Sequence, residues 1–151
     1  MKIAVVILNW NGVKLLEQFL PSVVQYSSEA TVYVADNAST DDSVSYVKAF
    51  FPSVKIVKND TNLGFADGYN QALKHVEADI YALINSDIEV TENWLKPIIE
   101  TFEKEPKTAI VQPKILDFKL AELFENRLRI EINDISEIND NKVAIIRPFA
   151  Q

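Results

Sequence analysis

Cysteine is absent from the 151-residue sequence, and histidine occurs once, at His75. Without thiols there is no disulfide, no thiolate nucleophile and no Cys-ligated zinc. Any metal site must then be built from oxygen ligands, which favours Mg²⁺ or Mn²⁺. Basic residues are in deficit: 15 Lys and Arg against 22 Asp and Glu give a formal net charge of −7. Broad contact with nucleic-acid phosphates needs clustered Lys and Arg, so nucleic acid is not an expected partner. One small anionic ligand stays open, because backbone N–H groups and a metal can hold it locally. Long apolar runs are missing too. "MKIAVVILNWNG" has one Lys, a stretch too short to span a bilayer, and no small-residue cleavage site. A strand is expected there, and the default expectation is a cytoplasmic protein.

What the sequence does contain is enough apolar material for one domain of ordinary size: 48% hydrophobic residues with 25% charged. Ile3–Leu8 is a continuous apolar run rich in β-branched residues, as in a buried strand. From Val13 to Val24, Leu15, Leu16, Phe19, Leu20, Val23 and Val24 recur at helical spacing, with a kink or a break expected at Pro21. Thr31–Ala35 and Val54–Val57 read as further strands. Between them Ser39 or Thr40 would cap a helix with Asp41 and Asp42 in its first turn. Phe65–Val76 reads as a helix despite Gly68, and Ile80–Ile84 as a fourth strand. Thr91 would cap a helix carrying Trp94, Ile98, Ile99 and Phe102, and a fifth strand would start at Ala109. Beyond Lys114 the pattern loosens. Leu120, Leu123, Phe124 and Leu128 suggest one more helix, and "RIEI" and "VAIIR" short strands.

Strands alternating with helices at this spacing imply βαβ units, hence an α/β fold with a mostly parallel sheet covered on both faces. Ligands of such sheets gather outside the carboxyl ends of the strands. Those ends read Asn9-Trp10-Asn11-Gly12, Asp36-Asn37-Ala38-Ser39, Asn59-Asp60-Thr61-Asn62 and Asn85-Ser86-Asp87. Asn or Asp stands at all four. Asp36 alone is equally explained as a turn former. Asp87 is less easily explained away, since Thr91 is better placed to cap the next helix. An oxygen cluster just past a buried strand suits a hard divalent cation that bridges two phosphates and neutralises a leaving diphosphate.

Four segments in this order, "VVILNWNG", "VYVADNASTDDS", "NLGFADGYNQAL" and "LINSDIEV", resemble the nucleotide-binding half of family 2 inverting glycosyltransferases of the GT-A fold. "NWNG" and "NSDIEV" resemble most the rhamnosyl- and galactofuranosyl-transferase-like branch that builds bacterial surface polysaccharides. The resemblance implies a Rossmann-like three-layer αβα sandwich. Residues 1–116 would bind a nucleoside diphospho-sugar, and residues 117–151 would form a C-terminal extension. It also implies roles. Leu8, Asn9 and Asn11 would line the base and ribose pocket. Asp36 would accept the imide N–H of uracil or thymine in a charge-assisted bond. Asn62, Gly64 and Asn70 would pack under nucleotide and sugar, Gly64 letting backbone approach closely. The D-x-D motif falls on Asn85-Ser86-Asp87, with Asp87 as the Mn²⁺ or Mg²⁺ ligand. The implied partners are a UDP- or dTDP-sugar and a saccharide or lipid-linked acceptor. The implied place is the cytoplasm, at the inner face of the membrane.

Two departures stand out. Asn85 replaces the first acid of D-x-D, keeping an acceptor oxygen but no charge. Family members are also longer, and their second half supplies the acceptor site and the general base. Residues 117–151 match none of that half, so the chain reads as truncated and no catalytic base is assigned. A sheet edge left bare by a missing half invites pairing with a second copy. A non-catalytic nucleotide-sugar binding domain is therefore the alternative. A flavodoxin-like phosphoacceptor domain would want paired acids after the first strand, and Asn9-Trp10-Asn11-Gly12 supplies none. His75 beside Lys74, and the acids Asp41 and Asp42, read as helix-terminus charges.

Overall fold

The computed structural model describes residues 1–113 together with the backbone of 144–146. In chain order the elements are β1 (Ile3–Asn9), α1 (Val13–Gln25), β2 (Thr31–Asp36), α2 (Ser43–Phe50), β3 (Lys55–Lys58), α3 (Gly64–Leu73), β4 (Ile80–Asn85), α4 (Lys96–Lys104), β5 (Ile110–Val111) and β6 (Ala144–Ile146). They build one sheet with the order β3-β2-β1-β4-β6-β5. β1 pairs in parallel with β2 and β4, and β2 in parallel with β3. β6 runs antiparallel to both β4 and β5.

β1 sits in the middle and is covered on both faces, which is why it reads as an unbroken apolar run. Ile3, Val5 and Ile7 face one cluster with Leu16, Leu20 and Val23 of α1, Val47 of α2, and Ile98 and Phe102 of α4. Ala4 and Val6 face the other, with Tyr33, Ala35, and Tyr69 and Ala72 of α3. The two-residue alternation of a strand thus serves two cores. The outer strand β3 carries exposed Lys55 and Lys58 at its ends, charges that discourage another strand from pairing there.

Helix starts differ from the sequence expectation. α2 begins at Ser43, so Asp41 and Asp42 precede its first turn, and Ser39 and Thr40 lie in the loop before it. α4 begins at Lys96, with Pro97 in the first turn, so Trp94 lies before the helix and Thr91 does not cap it. Proline suits that first turn, where its missing N–H is not needed. α1 runs as one helix through Pro21 rather than as two pieces. Pro21 and Glu17 are both exposed, so water can bond the carbonyl that proline leaves free, while buried Phe19, Leu20 and Val23 hold the helix. Of the expectations past Lys114, a strand within "VAIIR" is found as β6, and the helix around Leu120–Leu128 and the "RIEI" strand lie outside the described residues.

Tyr69 joins the two cores to the strand ends. It is 4% exposed. Its hydroxyl donates to the Ile84 carbonyl at 2.8 Å and accepts the Leu8 N–H at 3.3 Å. One phenol therefore closes the gap between the ends of β1 and β4. Burial pushes the hydroxyl well above the ordinary phenol value, so it remains a donor. Tyr69→Phe removes both hydroxyl bonds at a buried site and is expected to cost about 1–3 kcal/mol of stability in denaturant unfolding at neutral pH. A loss under about 0.5 kcal/mol, the range of an ordinary surface substitution, would show that the bridge is idle.

Candidate functional site

Register decides what meets at the carboxyl edge. Asn9 stands beside Asp36, Asp36 beside Lys58, and Leu8 beside Asn85. Residues as far apart as Leu8 and Asn85 are thereby brought side by side, and Ser86 and Asp87 follow directly from the end of β4.

Asn9 is fully buried. Its Nδ2 donates to Asp36 Oδ1 at 3.4 Å and to Ser39 Oγ at 3.1 Å. Asp36, 3% exposed, accepts the Ser39 N–H at 3.2 Å through its other oxygen. These contacts are long and few for a buried carboxylate, so lone pairs remain for a further donor. Asn9 Oδ1 is buried and has no hydrogen-bond partner among the described residues. It lies against Gly12, where an added β-carbon would come within 2.5 Å of it and 3.8 Å from Ser86 Oγ. The φ of Gly12 is −112°, open to any residue, so what glycine provides here is space.

The loops after β1 and β2 are tied to each other. Asn11, at φ 50°, accepts the Thr40 N–H at 2.7 Å and the Asp41 N–H at 3.3 Å on its side-chain oxygen. Its own N–H donates to Ser39 Oγ at 2.9 Å. Asp41 accepts the Val13 N–H at 3.0 Å, capping α1 from the neighbouring loop, and also binds the N–H and hydroxyl of Ser43. Burial pushes the Asp41 carboxyl up, but the bonds from Ser43 and Val13 outweigh it and hold the group below its ordinary value of 3.8.

The loop after β3 is bound through amides. Asn37 Nδ2 donates to Asn62 Oδ1 at 2.8 Å and to the Gly64 carbonyl at 3.0 Å. Asn37 Oδ1 accepts from Asn59 Nδ2 at 3.0 Å and from the Leu63 N–H at 3.3 Å. Asn59 also donates to the Gly68 carbonyl at 3.0 Å. Asn62 Oδ1 is further used by the Gly64 N–H at 2.9 Å. Gly68 lets α3 approach Leu8, since a β-carbon there would meet both Leu8 Cδ atoms at 3.2 Å.

At the end of β4 the available ligands are oxygens: the half-buried side chains of Asn85 and Ser86 and the exposed carboxylate of Asp87. No group of three or more His, Asp or Glu suited to a metal gathers among the described residues. One carboxylate with neutral oxygens fits Mg²⁺ or Mn²⁺ of the kind completed by water and substrate phosphates.

Of the residues expected from the sequence, Leu8, Asn9, Asn11, Asp36, Asn85, Ser86 and Asp87 share the rim, and Asn62 and Gly64 are linked to it through Asn37. Asn70 lies exposed on α3. The sequence assigns no role to Asn37, Asn59 or Tyr69, and to Ser39, as the alternative to Thr40, only that of a helix cap. Asn37 directly follows the buried strand β2 and Asn59 the outer strand β3; a polar residue that stays buried at a strand end must find partners. A groove of about 380 Å³ beside β3 is lined by Tyr33, Lys55, Ile56, Val57, Lys58 and His75, none of them among the expected site residues.

The family model described as Glycosyl transferase family 2 matches residues 4–149. An uncharacterized glycosyltransferase, YfnE of Bacillus subtilis (strain 168), is 31% identical over 115 residues, 73% of this chain and 29% of that protein. Among solved structures, the mannosyltransferase PcManGT from Pyrobaculum calidifontis, in complex with GDP-Man and Mn²⁺, superposes with TM-score 0.65 at 22% identity, covering 72% of this chain and 34% of that one. S. aureus TarS 1–349 superposes with TM-score 0.72 at 20% identity over 97% of this chain and 47% of that one. Its complex with UDP-GlcNAc gives 0.64 at 24% identity, over 73% and 33%. These neighbours share the GT-A-like α/β fold. The chain spans 29% of YfnE and 33–47% of the superposed PcManGT and TarS chains. No helix among the described residues is long and apolar enough to cross a membrane.

Gly12→Ala is expected to destabilise the protein by about 1–3 kcal/mol through overpacking against the Asn9 amide. The cost should shrink in an Asn9→Ala background, read as a double-mutant cycle; equal costs in both backgrounds would sever the link. For Asp41, a folded-state pKa below the unfolded one stabilises above the unfolded value and is lost as pH falls through the folded one. The stability deficit of Asp41→Asn should therefore be full above about pH 5 and close as the pH drops well below the ordinary carboxylate value. A deficit constant across the acid range would refute the capping role.

Proposed function

The chain belongs to glycosyl transferase family 2, and from that premise we propose that its rim binds a nucleoside diphospho-sugar for inverting transfer to an acceptor hydroxyl. The observation that carries the proposal is the parallel register of β1 with both neighbours, which sets Asn9 beside Asp36 and Leu8 beside Asn85. Asp36 then serves as the base reader. Its carboxylate, held by the Asn9 amide and the Ser39 N–H, keeps acceptor capacity for the imide N–H of uracil or thymine. Leu8, Asn9 and Asn11 border the base and ribose, and the Asn62–Gly64 loop closes the site from the β3 side. Asp87, with the oxygens of Asn85 and Ser86, would hold Mn²⁺ or Mg²⁺. When bound, that cation neutralises charge on the departing diphosphate. Inversion follows from a single displacement in which the acceptor oxygen attacks the anomeric carbon opposite the leaving diphosphate, its proton passing to a base. The resemblance of "NWNG" and "NSDIEV" to rhamnosyl- and galactofuranosyl-transferases favours a saccharide or lipid-linked acceptor in surface polysaccharide synthesis.

Calorimetric titration with UDP, dTDP, CDP and GDP, with and without Mn²⁺, tests this reading. UDP or dTDP should bind at least about tenfold more tightly than CDP, whose ring presents a lone pair where the imide presents N–H, and more tightly than GDP. Asp87→Ala should abolish the gain from Mn²⁺ and spare the base preference. No nucleotide binding, or CDP equal to UDP, would defeat the assignment to Asp36. Binding of the donor without transfer or slow donor hydrolysis would instead mark a non-catalytic binding domain.

A further inference from the structure

We infer that Asn37 is a positioning residue for this site: from the end of β2 it clamps the Asn62–Gly64 loop in one shape beside Asp36. The inference rests on the donor-site reading above and adds a residue and a device to it. The loop has little else to hold it. Leu63 and Phe65 are exposed by 41% and 61%, and a β-carbon at Gly64 would meet nothing within 4 Å. Phe65 meets Tyr69 in a T-shaped ring contact, centroids 5.2 Å apart. Apolar packing therefore does not fix the segment. The polar bonds do, and Asn37 makes those to Asn62, Leu63 and Gly64, one for each residue of the loop.

The side chain fits the task narrowly. Asn37 is 2% exposed. It must donate on one side, to two oxygens, and accept on the other, from two N–H groups. An aspartate keeps the accepting side and loses the donating one. A longer amide lacks room, because even the missing β-carbon of Gly68 would stand 3.1 Å from Asn37 Nδ2. The backbone of Asn37 is also committed, its N–H donating to the Asn9 carbonyl at 2.8 Å. Loop shape is thereby tied to the strand end that carries Asn9 and Asp36. Asn62 enters as the outer half of the clamp, its oxygen shared between Asn37 and the Gly64 N–H.

Asn37→Asp places carboxylate oxygen against Asn62 Oδ1 and the Gly64 carbonyl and should spring the loop. Hydrogen exchange of peptides covering 59–66 is expected to speed up at least about tenfold, with β1 and α1 unchanged. The dissociation constant for UDP should rise at least about tenfold. Val47→Ala, a core truncation far in sequence from the loop, serves as the control: it loosens the fold without changing either reading. Unchanged exchange in Asn37→Asp overturns the clamp. Faster exchange with a UDP affinity no weaker than that of the Val47→Ala control overturns the positioning role. If the native chain binds no nucleoside diphosphate, the donor-site reading falls and the positioning role with it, while exchange still decides whether Asn37 holds the loop. Should Asn37→Asp fail to fold, Asn62→Ala removes one of the Asn37 bonds together with the bond to the Gly64 N–H from an exposed position, and the exchange reading applies to it.

Discussion

The parallel pairing of β1 with both β2 and β4 is the constraint on which the rest of the molecule depends. Parallel strands run in the same direction, so their carboxyl ends open on one edge, and register then determines which side chains stand together. A slip of one residue would turn every side chain of β1 to the opposite face. Ile3, Val5 and Ile7 would lose α1 and α4, and Ala4 and Val6 would lose α3. Burial on both faces fixes the register, and the register places Asn9 beside Asp36. The stability of the core and the geometry of the rim are consequences of one alignment.

The rim is built largely from amides and hydroxyls. Asn9, Asn11, Asn37, Asn59 and Asn62 each offer a donor and an acceptor on a short arm, which suits strand ends where backbone N–H and C=O groups run out of sheet partners. The network leaves Asn9 Oδ1 and Asn59 Oδ1 buried without a protein partner among the described residues. Elsewhere in the described rim the side chains of Asn11, Asn37 and Asn62 bond across the loops, giving them defined shapes without relying on apolar packing. Few carboxylates intrude.

Much of the fold was legible in the sequence because the signals were local. Ile3–Leu8, Thr31–Ala35 and Ile80–Ile84 are short β-branched runs bounded by polar residues, and each is a strand in the structure. Helix starts were less legible. Ser39 resembles a cap by residue type, yet its hydroxyl serves Asn9 and Asn11. Asp41 caps α1, a helix 28 residues earlier in the chain. Capping by a residue of another loop leaves no trace in local sequence spacing. Proline lacks an N–H, so Pro21 marks a kink or a break in the sequence, but its exposed position lets the helix continue.

The sequence alone settled the alternation of strands and helices, the buried character of β1, the polar residues at four strand ends and the absence of sulfur ligands, because these follow from composition and periodicity. It also placed Asp36 and Asp87 at strand ends. Only the tertiary structure decided that Asn37 and Asn59 hold the loop after β3, that Tyr69 joins β1 to β4, that Gly12 makes room for the Asn9 amide and that residues 144–146 enter the sheet between β4 and β5. Each of these depends on contacts between residues distant in the chain, and such contacts come into being only when the strands settle into register.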